Sequence, residues 1–294
     1  MNMLTPFVSR DPDPWSSARF VLINAAQIEP ACWEDFHPTR VVPASHQHQA
    51  SLFPALLDAQ TWDEAQRAHL RERAHAWERQ EGTPYAVAWM SAAGPASSIV
   101  THLVHRMSVR HADGREDVLR YYDPWVFRHL RGWLLTPEQM DSLLGPIQAW
   151  HWREPDGTWH THTRNCVAPS LRPLRLTAEQ WPSLRRMAEL QFALTTLARL
   201  DPLLAWQPDT AKRIDALLGE AKARHGMHDR ADRLLYALQA ARFHPSIHTH
   251  PLLRQRLNQI DDDGPSYVEL CTGLDDAGMQ QLASELETSR TNPS

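Results

Sequence analysis

Three pairs of histidines, each separated by one residue, are the first candidates for chemistry in this sequence. They are His46 with His48, His160 with His162, and His248 with His250. An H-x-H pair on a β-strand places both rings on the same face, an arrangement that zinc can use. No HExxH helix and no Cys-x-x-Cys pair accompanies them. We therefore predict that His160 and His162 lie on an exposed strand face, which is a simpler explanation of their spacing than a metal site.

Other motifs for catalysis or nucleotide binding are incomplete. Ser91 lacks the G-x-S-x-G turn of hydrolases, and no Walker loop or G-x-G-x-x-G follows a predicted strand. The acidic run 261–263 lacks the spaced ligands of a calcium loop. Asp123 stands directly before Pro124, where capping of a helix explains it fully. We predict no catalytic residue, no metal and no cofactor.

Composition and charge narrow the class of protein. The chain has 294 residues, a net charge of −5 and twelve Trp residues. The acidic charge argues against a non-specific nucleic-acid binder, and the many Trp indicate large surfaces that are either buried or form contacts. Cys32, Cys166 and Cys271 are too few and too far apart for a disulfide framework or a zinc ribbon. With no signal-like start and no run of roughly 18 apolar residues, we expect a soluble cytoplasmic protein away from membranes.

The densest structural signals lie in residues 118–152. Residues 118–122 are rich in branched and aromatic side chains, which favours a strand. Asp123 as cap and Pro124 in the first helical position start a helix. Gly132 is placed to end that helix in a left-handed turn.

A second helix follows within the same stretch. Thr136 caps it, and Gln139 reaches back from the third helical position to form a capping box. Gly145 and Pro146 end the helix, and residues 147–152 return to a strand. The stretch therefore predicts a strand–helix–helix–strand unit.

The rest of the first half alternates strands and helices. Asp113-Gly114 is a strong hairpin signal, and the apolar run 85–90 predicts a central strand covered on both sides. Thr61 predicts the start of a helix, with Glu64 at the capping-box position. Further strands are predicted at 19–26, 107–111 and 158–163, and further helices at 61–80 and 97–105. These elements predict an α+β domain with a largely antiparallel sheet.

The second half changes character after residues 164–176, which contain Pro169 and Pro173 and predict a linker. Apolar residues from Leu184 to Leu200 fall at helical spacing. Further helices are predicted at 210–224, 231–243, 251–260 and 277–288, with a weak strand at 267–271. The predicted domains are a tail at 1–17, an α+β domain at 18–163, the linker, and a helical lobe at 177–294.

The stretch 118–152 also resembles the hallmark of the domain-of-unknown-function family 4123. The shared features are an R-[FY]-Y-D-P segment, an L-T-P-E-Q helix start, a G-P-I turn and a strand that bears a Trp. In this sequence the hallmark residues are Arg120, Tyr121, Tyr122, Asp123, Pro124, Thr136, Pro137, Gly145, Pro146 and Trp150. The resemblance extends over roughly residues 18–162, through the first strand, a Ser-Leu-Phe segment and the Asp-Gly hairpin.

The resemblance implies a non-catalytic role in bacterial type VI secretion. Members of that family are cytoplasmic adaptor chaperones that hold a toxic effector and load it onto the trimeric spike protein VgrG. It therefore implies two partners, the effector and VgrG, with no nucleic acid and no membrane. We expect the α+β domain to supply the surface shared by the system and the helical lobe to recognise the cargo.

Candidates for partner binding come from the residue types enriched at interfaces, Trp and Arg. They are Trp152, Trp159, Arg128 and Arg131. The sequence favours a core position for Trp150 and leaves core and interface equally open for Trp152 and Trp159. The alternatives are a metal-dependent hydrolase or secreted effector that uses the His-x-His pairs, and a helix-turn-helix regulator, which the acidic charge disfavours.

Overall fold

The computed structural model describes residues 14–15, 18–111, 113–154, 157–165, 174–261 and 264–291. The chain divides into two compact units, Met1–Leu176 and Thr177–Ser294. Most of the predicted tail at 1–17 and of the predicted linker at 164–176 lies outside the described residues, as does Cys166. The predicted domain boundaries therefore stay predictions.

A six-stranded antiparallel sheet forms the centre of the first unit. Its strands are β1 (Phe20–Ile23), β2 (Thr39–Arg40), β3 (Ala55–Asp58), β4 (Ala86–Ala92), β7 (Ile147–Arg153) and β8 (Trp159–Thr163), in the order β2-β3-β1-β4-β7-β8. The prediction of a central strand near 85–90 is confirmed, since β4 lies between β1 and β7. Its first five residues are buried because both faces of the sheet are covered.

The described residues of this unit also form the α-helices α1 (Glu64–Glu81), α2 (Ala96–Met107), α3 (Pro124–His129) and α4 (Pro137–Leu144). The predicted start of α1 is wrong by two residues. Asp63, not Thr61, is the cap: its carboxylate accepts from the backbone N–H of Gln66 at 2.8 Å, and the Gln66 side chain accepts from the backbone N–H of Asp63 at 3.1 Å. Thr61 with Glu64 and Asp63 with Gln66 both match the sequence pattern of a capping box. The helix starts at Asp63 because this residue and Gln66 form the two reciprocal hydrogen bonds.

The Asp113-Gly114 hairpin forms a small sheet of its own. Its strands are β5 (Ser108–Arg110) and β6 (Glu116–Val118), which pair antiparallel. The predicted strand from 118 to 122 is wrong beyond Val118. Tyr121 and Tyr122 form a turn, closed by a bond from the Asp123 N–H to the Arg120 carbonyl at 3.0 Å. Their rings are buried in the core, so their apolar character reflects packing rather than a strand.

The second unit is helical over its described residues. Its helices are α5 (Gln180–Arg185), α6 (Met187–Leu200), α7 (Pro202–Ala205), α8 (Thr210–His225), α9 (Arg230–Arg242), α10 (Pro251–Leu257), α11 (Tyr267–Leu270) and α12 (Asp276–Thr291). The predicted strand at 267–271 is wrong, because Ser266 and Glu269 form a capping box that starts α11. Together the sheet, its helices and this helical region confirm the predicted fold class. Of the described helices, none combines the length and apolar character needed to cross a bilayer.

Candidate interaction surface

The surface begins with the turn that starts α3. The Asp123 carboxylate accepts a hydrogen bond from the Trp125 backbone N–H at 3.0 Å, and Pro124 takes the first helical position. The predicted capping role of Asp123 is confirmed. Burial raises the pKa of this carboxyl above its ordinary value, while the Trp125 N–H and the nearby Arg120 oppose the shift. The cap therefore carries a partly desolvated charge.

A π-helical turn continues α3 from Leu130 to Leu134. The Leu135 N–H donates to the Leu130 carbonyl at 2.8 Å, which is the wide i to i+5 bond of a π-helix. The prediction that Gly132 ends the helix in a left-handed turn is wrong, since Gly132 is not among the glycines with positive φ. Single π-turns are rare and frequent at functional sites, and this one carries Arg131 and Trp133.

Aromatic rings join α3 to the sheet. Phe127 stacks on Trp150 with ring centroids 5.0 Å apart and planes at 14°, and it meets Trp152 edge-on, also at 5.0 Å. Trp150 is fully buried, so its predicted core position is confirmed. Trp152 is only 2% exposed, and its indole N–H donates to Glu154 at 2.9 Å. The structure therefore places Trp152 in the core, with almost none of its ring open to a partner.

Trp159 lies on the opposite face of the sheet. It pairs across the strands with Arg153 and packs partly buried against the core that contains Trp15 and Trp89. It lines a cleft of about 770 Å³ beside α1, where Arg153 makes an ion pair with Glu78 at 2.8 Å. Part of its ring stays accessible, so the structure leaves open whether Trp159 serves as a core residue or as an interface residue.

Arg128 and Arg131 share a face with Trp152. Arg128 pairs with Glu154 at 3.1 Å and lies over the Trp125 ring at 5.5 Å. The Arg131 Nε donates to Nδ1 of His162 at 3.2 Å, and its guanidinium lies 5.7 Å from the centroid of Trp152. The structure thus brings three of the four partner-binding candidates together around α3 and β7.

Burial shapes the electrostatics of this face. It lowers the pKa of Arg131, against the weaker pull of Glu154. It also lowers the pKa of His162 to about 4, helped by the charge of Arg131. The prediction of an exposed strand face for this His pair is wrong. His162 packs near the Phe127 ring, and His160 stacks on Trp152 with centroids 5.5 Å apart.

The other hallmark residues build the scaffold behind this surface. Thr136 and Gln139 form the predicted capping box at the start of α4. Gly145 ends α4 with φ of 52°, and a Cβ there would collide with the imidazole of His102. The Tyr121 hydroxyl donates to the Leu103 carbonyl at 3.4 Å. These roles are structural, as the sequence predicts for most of the hallmark.

The remaining histidine pairs lie in different surroundings. His46 and His48 stack with centroids 6.4 Å apart on a 3₁₀ segment, Ala44–Leu52. His248 stacks on Tyr236 at 3.6 Å, and His250 pairs with Glu285 at 3.0 Å. Across the part of the chain that the structure describes, no group of three or more His, Cys, Asp or Glu side chains is placed to hold a metal ion. Asp262 and Asp263 lie outside that part.

The helical unit carries exposed apolar side chains that sequence reasoning missed. Leu200, Leu203 and Trp206 lie close in sequence around the junction of α6 and α7 and are 51%, 86% and 43% exposed. Leu200 falls at the helical spacing of the predicted core face, but it is the last residue of α6, where the chain turns away. The structure is needed to find this patch, because helical spacing identifies the apolar face of a helix but does not show how far along the helix other residues cover that face.

Comparison with known proteins supports the family resemblance. Residues 39–142 match the model of a family described as Domain of unknown function (DUF4123). The match covers a little over a third of the chain, and it supports a relationship between this segment and that family. The DUF4123 match covers the strands β2, β3 and β4, the β5–β6 hairpin, the helices α1, α2 and α3, the π-turn and most of α4, and it leaves out β1, β7 and β8. No curated protein matches the chain, and no solved structure matches it.

Proposed function

We propose that this protein is an adaptor chaperone of a bacterial type VI secretion system. It binds a cognate toxic effector in the cytoplasm and loads it onto the VgrG spike, without catalysing a reaction itself. The observation that carries the proposal is the DUF4123 match over residues 39–142, together with the ordered hallmark that runs on to Trp152.

The first unit supports a role in recognition of a component common to the system. Its hallmark residues hold α3, the π-turn and β7 rigidly together through the Phe127 stack and two helix caps. A surface supported in this way changes little on binding, which limits the entropy lost in a complex. We assign the shared surface, for VgrG or a common effector segment, to this unit.

The second unit supports a role in recognition of the cargo. Leu203 is 86% exposed, and the neighbouring Leu200 and Trp206 are about half exposed. Exposed apolar clusters mark interaction sites more often than inert surface, and Trp is enriched among residues that dominate binding energy. We assign the effector-specific surface to the α6–α7 junction.

Co-purification tests the proposal directly. The full chain would be co-expressed with a spike gene and a toxin-like gene encoded beside it, and each complex isolated through a tag on this protein. We expect both partners to co-purify. If neither does, the adaptor function is refuted.

A matched pair of substitutions separates the two surfaces. Leu203→Asp should weaken effector binding at least tenfold while spike binding is kept, because the substitution places a charge where the bound effector would bury an apolar side chain. Thr195→Asp, at an exposed position of α6, should change neither. Loss of spike binding with retention of the effector would show that the surfaces are assigned the wrong way round.

A further inference from the structure

The outer edge of β8 presents backbone groups that pair with no other strand in the part of the chain that the structure describes. Two hydrogen bonds of 2.9 Å show which residues of β8 bond to β7. One runs from the Glu154 N–H to the Thr158 carbonyl, and the other from the Arg164 N–H to the Gln148 carbonyl. In an antiparallel pair, alternate residues bond to the partner strand and the others point away. The register therefore turns the peptide groups of Trp159, Thr161 and Thr163 outward.

No further strand of the described residues pairs with this edge, since β8 ends the sheet. Natural sheets protect such edges with Lys, Pro or a bulge, because an open edge takes up another strand. The sequence of β8, WHTHT, contains neither Lys nor Pro, and its pairing with β7 runs over five residues without a bulge. The edge is therefore competent to accept an added strand.

Arg131 lies beside the same edge, and among the described residues it forms no direct ion pair, although the charge of Glu154 acts on it weakly. Arg131 donates through Nε to His162 on β8 and lies over the Trp152 ring. Among the described residues its terminal nitrogens have no hydrogen-bond acceptor, and no carboxylate lies within ion-pair distance of it. The nearby Glu154 is already engaged by Arg128 at 3.1 Å and by the Trp152 indole at 2.9 Å.

A partly buried guanidinium that has no direct ion-pair partner among the described residues is costly, and a carboxylate that binds both of its terminal nitrogens recovers part of that cost. Burial lowers the pKa of Arg131, which reflects the same cost. β8 itself contains no acidic residue, and the nearby Asp141, whose charge acts on His162, accepts a hydrogen bond from the Asn165 N–H at 2.9 Å.

We infer that the edge of β8 binds an extended acidic segment of a partner protein, which adds to the sheet as a strand and pairs a carboxylate with Arg131. Neighbouring strands lie about 4.8 Å apart, and side chains directly opposite one another have Cβ atoms about 5 Å apart. A Glu placed opposite His162 on the added strand thus reaches the guanidinium that His162 already contacts. The inference rests on the proposed adaptor function, in which this unit carries the surface shared by the system, and the segment is accordingly assigned to the VgrG spike.

Nuclear magnetic resonance of the ¹⁵N-labelled full chain tests this inference. The probe is an acetylated, amidated octapeptide of alternating Glu and Thr, and its control is the same peptide with Lys in place of Glu. We expect the Glu peptide to shift the amides of Trp159, Thr161 and Thr163 and the indole N–H of Trp152, and the Lys peptide to leave them unchanged. Equal shifts with both peptides, or none at millimolar concentration, would overturn the inference.

Two variants separate the charge from the strand edge. Arg131→Gln should weaken binding of the Glu peptide about fivefold or more, because the charge-assisted bonds are lost. Thr163→Pro removes an outward N–H without breaking the β7–β8 ladder, so it should weaken the peptide while the remaining spectrum stays in place. Unchanged affinity in Arg131→Gln would refute the carboxylate contact. Dimerisation of the free chain through β8, seen by sedimentation, would assign the edge to a second copy instead.

The two proposals fail separately. If effector and spike co-purify but the Glu peptide leaves the β8 amides unshifted, the edge site is wrong and the adaptor function stands. If the peptide binds but neither partner co-purifies, the edge site stands and its assigned source is wrong.

Discussion

Phe127 and Trp150 stack nearly parallel, with their ring centroids 5.0 Å apart, and both side chains are fully buried. Phe127 belongs to the short helix α3, and Trp150 lies in β7. Since α3 has only six residues, it cannot be stable alone and depends on this contact. The stack therefore joins the hallmark helix to the sheet and holds the π-turn, with Arg131, over β8.

Removal of the Phe127 ring should destabilise the first unit strongly. We expect Phe127→Ala to lower its free energy of unfolding by about 3–5 kcal/mol, the usual cost when a buried Phe is truncated. Phe192→Ala is the control, since it removes the same atoms from a ring that is 50% exposed, and it should cost less than about 1 kcal/mol. Urea titration followed by circular dichroism measures both. Similar losses in the two variants would contradict a stacking role for Phe127.

The hallmark shows what sequence can and cannot predict. Asp123, Thr136 and Gly145 act as the sequence predicts, because caps and left-handed turns depend on a few neighbouring backbone groups. The π-turn at Gly132 could not be predicted in this way. Its wide bond from Leu135 to Leu130 is compatible with many sequences, and packing of Leu130 and Leu134 against the core selects it.

Asp123 should make stability depend on pH. Folding raises its pKa from 3.8, mainly through burial, so the folded state holds this proton more tightly than the unfolded chain does. Its stabilising contribution is therefore present at low pH and is lost as the pH rises through the raised pKa. Asn caps helices as well as Asp and carries no charge. We expect Asp123→Asn to gain stability relative to the natural protein as the pH rises from 3.5 to 7, measured by urea titration. A constant or shrinking difference would contradict this.

The helical unit marks a second limit of sequence reasoning. Spacing predicts α6, α8 and α9 well, because a long amphipathic pattern specifies a helix. It fails at 267–271, where Tyr267 and Cys271 are buried in a short helix whose apolar residues mimic a strand. Spacing also fails at Leu200, because the exposure of this last residue of α6 depends on the direction that the chain takes after the helix. Tertiary contacts such as that of Arg131 with His162 join residues 31 positions apart, which no local pattern encodes.

The ion pair of Arg186 with Asp215 should be far more important for stability than the exposed pairs. Both guanidinium contacts to Asp215 are short, at 2.9 and 3.0 Å, and the Ser183 hydroxyl also donates to it at 2.6 Å. Asp215→Ala leaves a partly buried charge without its partner, so we expect a loss of about 3–5 kcal/mol.

Arg224→Ala, on the same helix α8, is the control for Asp215→Ala. Its side chain is 73% exposed and pairs with Glu220 at 3.0 Å, so we expect a loss of at most about 0.5 kcal/mol. Thermal unfolding of both variants measures the contrast. If Asp215→Ala were as mild as Arg224→Ala, the pair would not be desolvated as the structure indicates.

His248 should make the helical unit sensitive to acid. Burial lowers its pKa from 6.5 to about 3, with a smaller contribution from His225, and its ring stacks on Tyr236 at 3.6 Å. A base whose pKa falls on folding stabilises the fold fully above its unfolded pKa, and this stability is lost as the pH falls toward the folded pKa. Each pKa unit corresponds to about 1.4 kcal/mol, so acidification from pH 6.5 to 3 should lower the free energy of unfolding by several kcal/mol.

His248→Phe keeps an aromatic ring beside Tyr236 and removes the titration, so the unfolding free energy of this variant should vary less over that pH range. His228→Phe, at an exposed position, should keep the natural pH dependence, and a pH profile of His248→Phe parallel to that of the natural protein would show that His248 is not the group responsible.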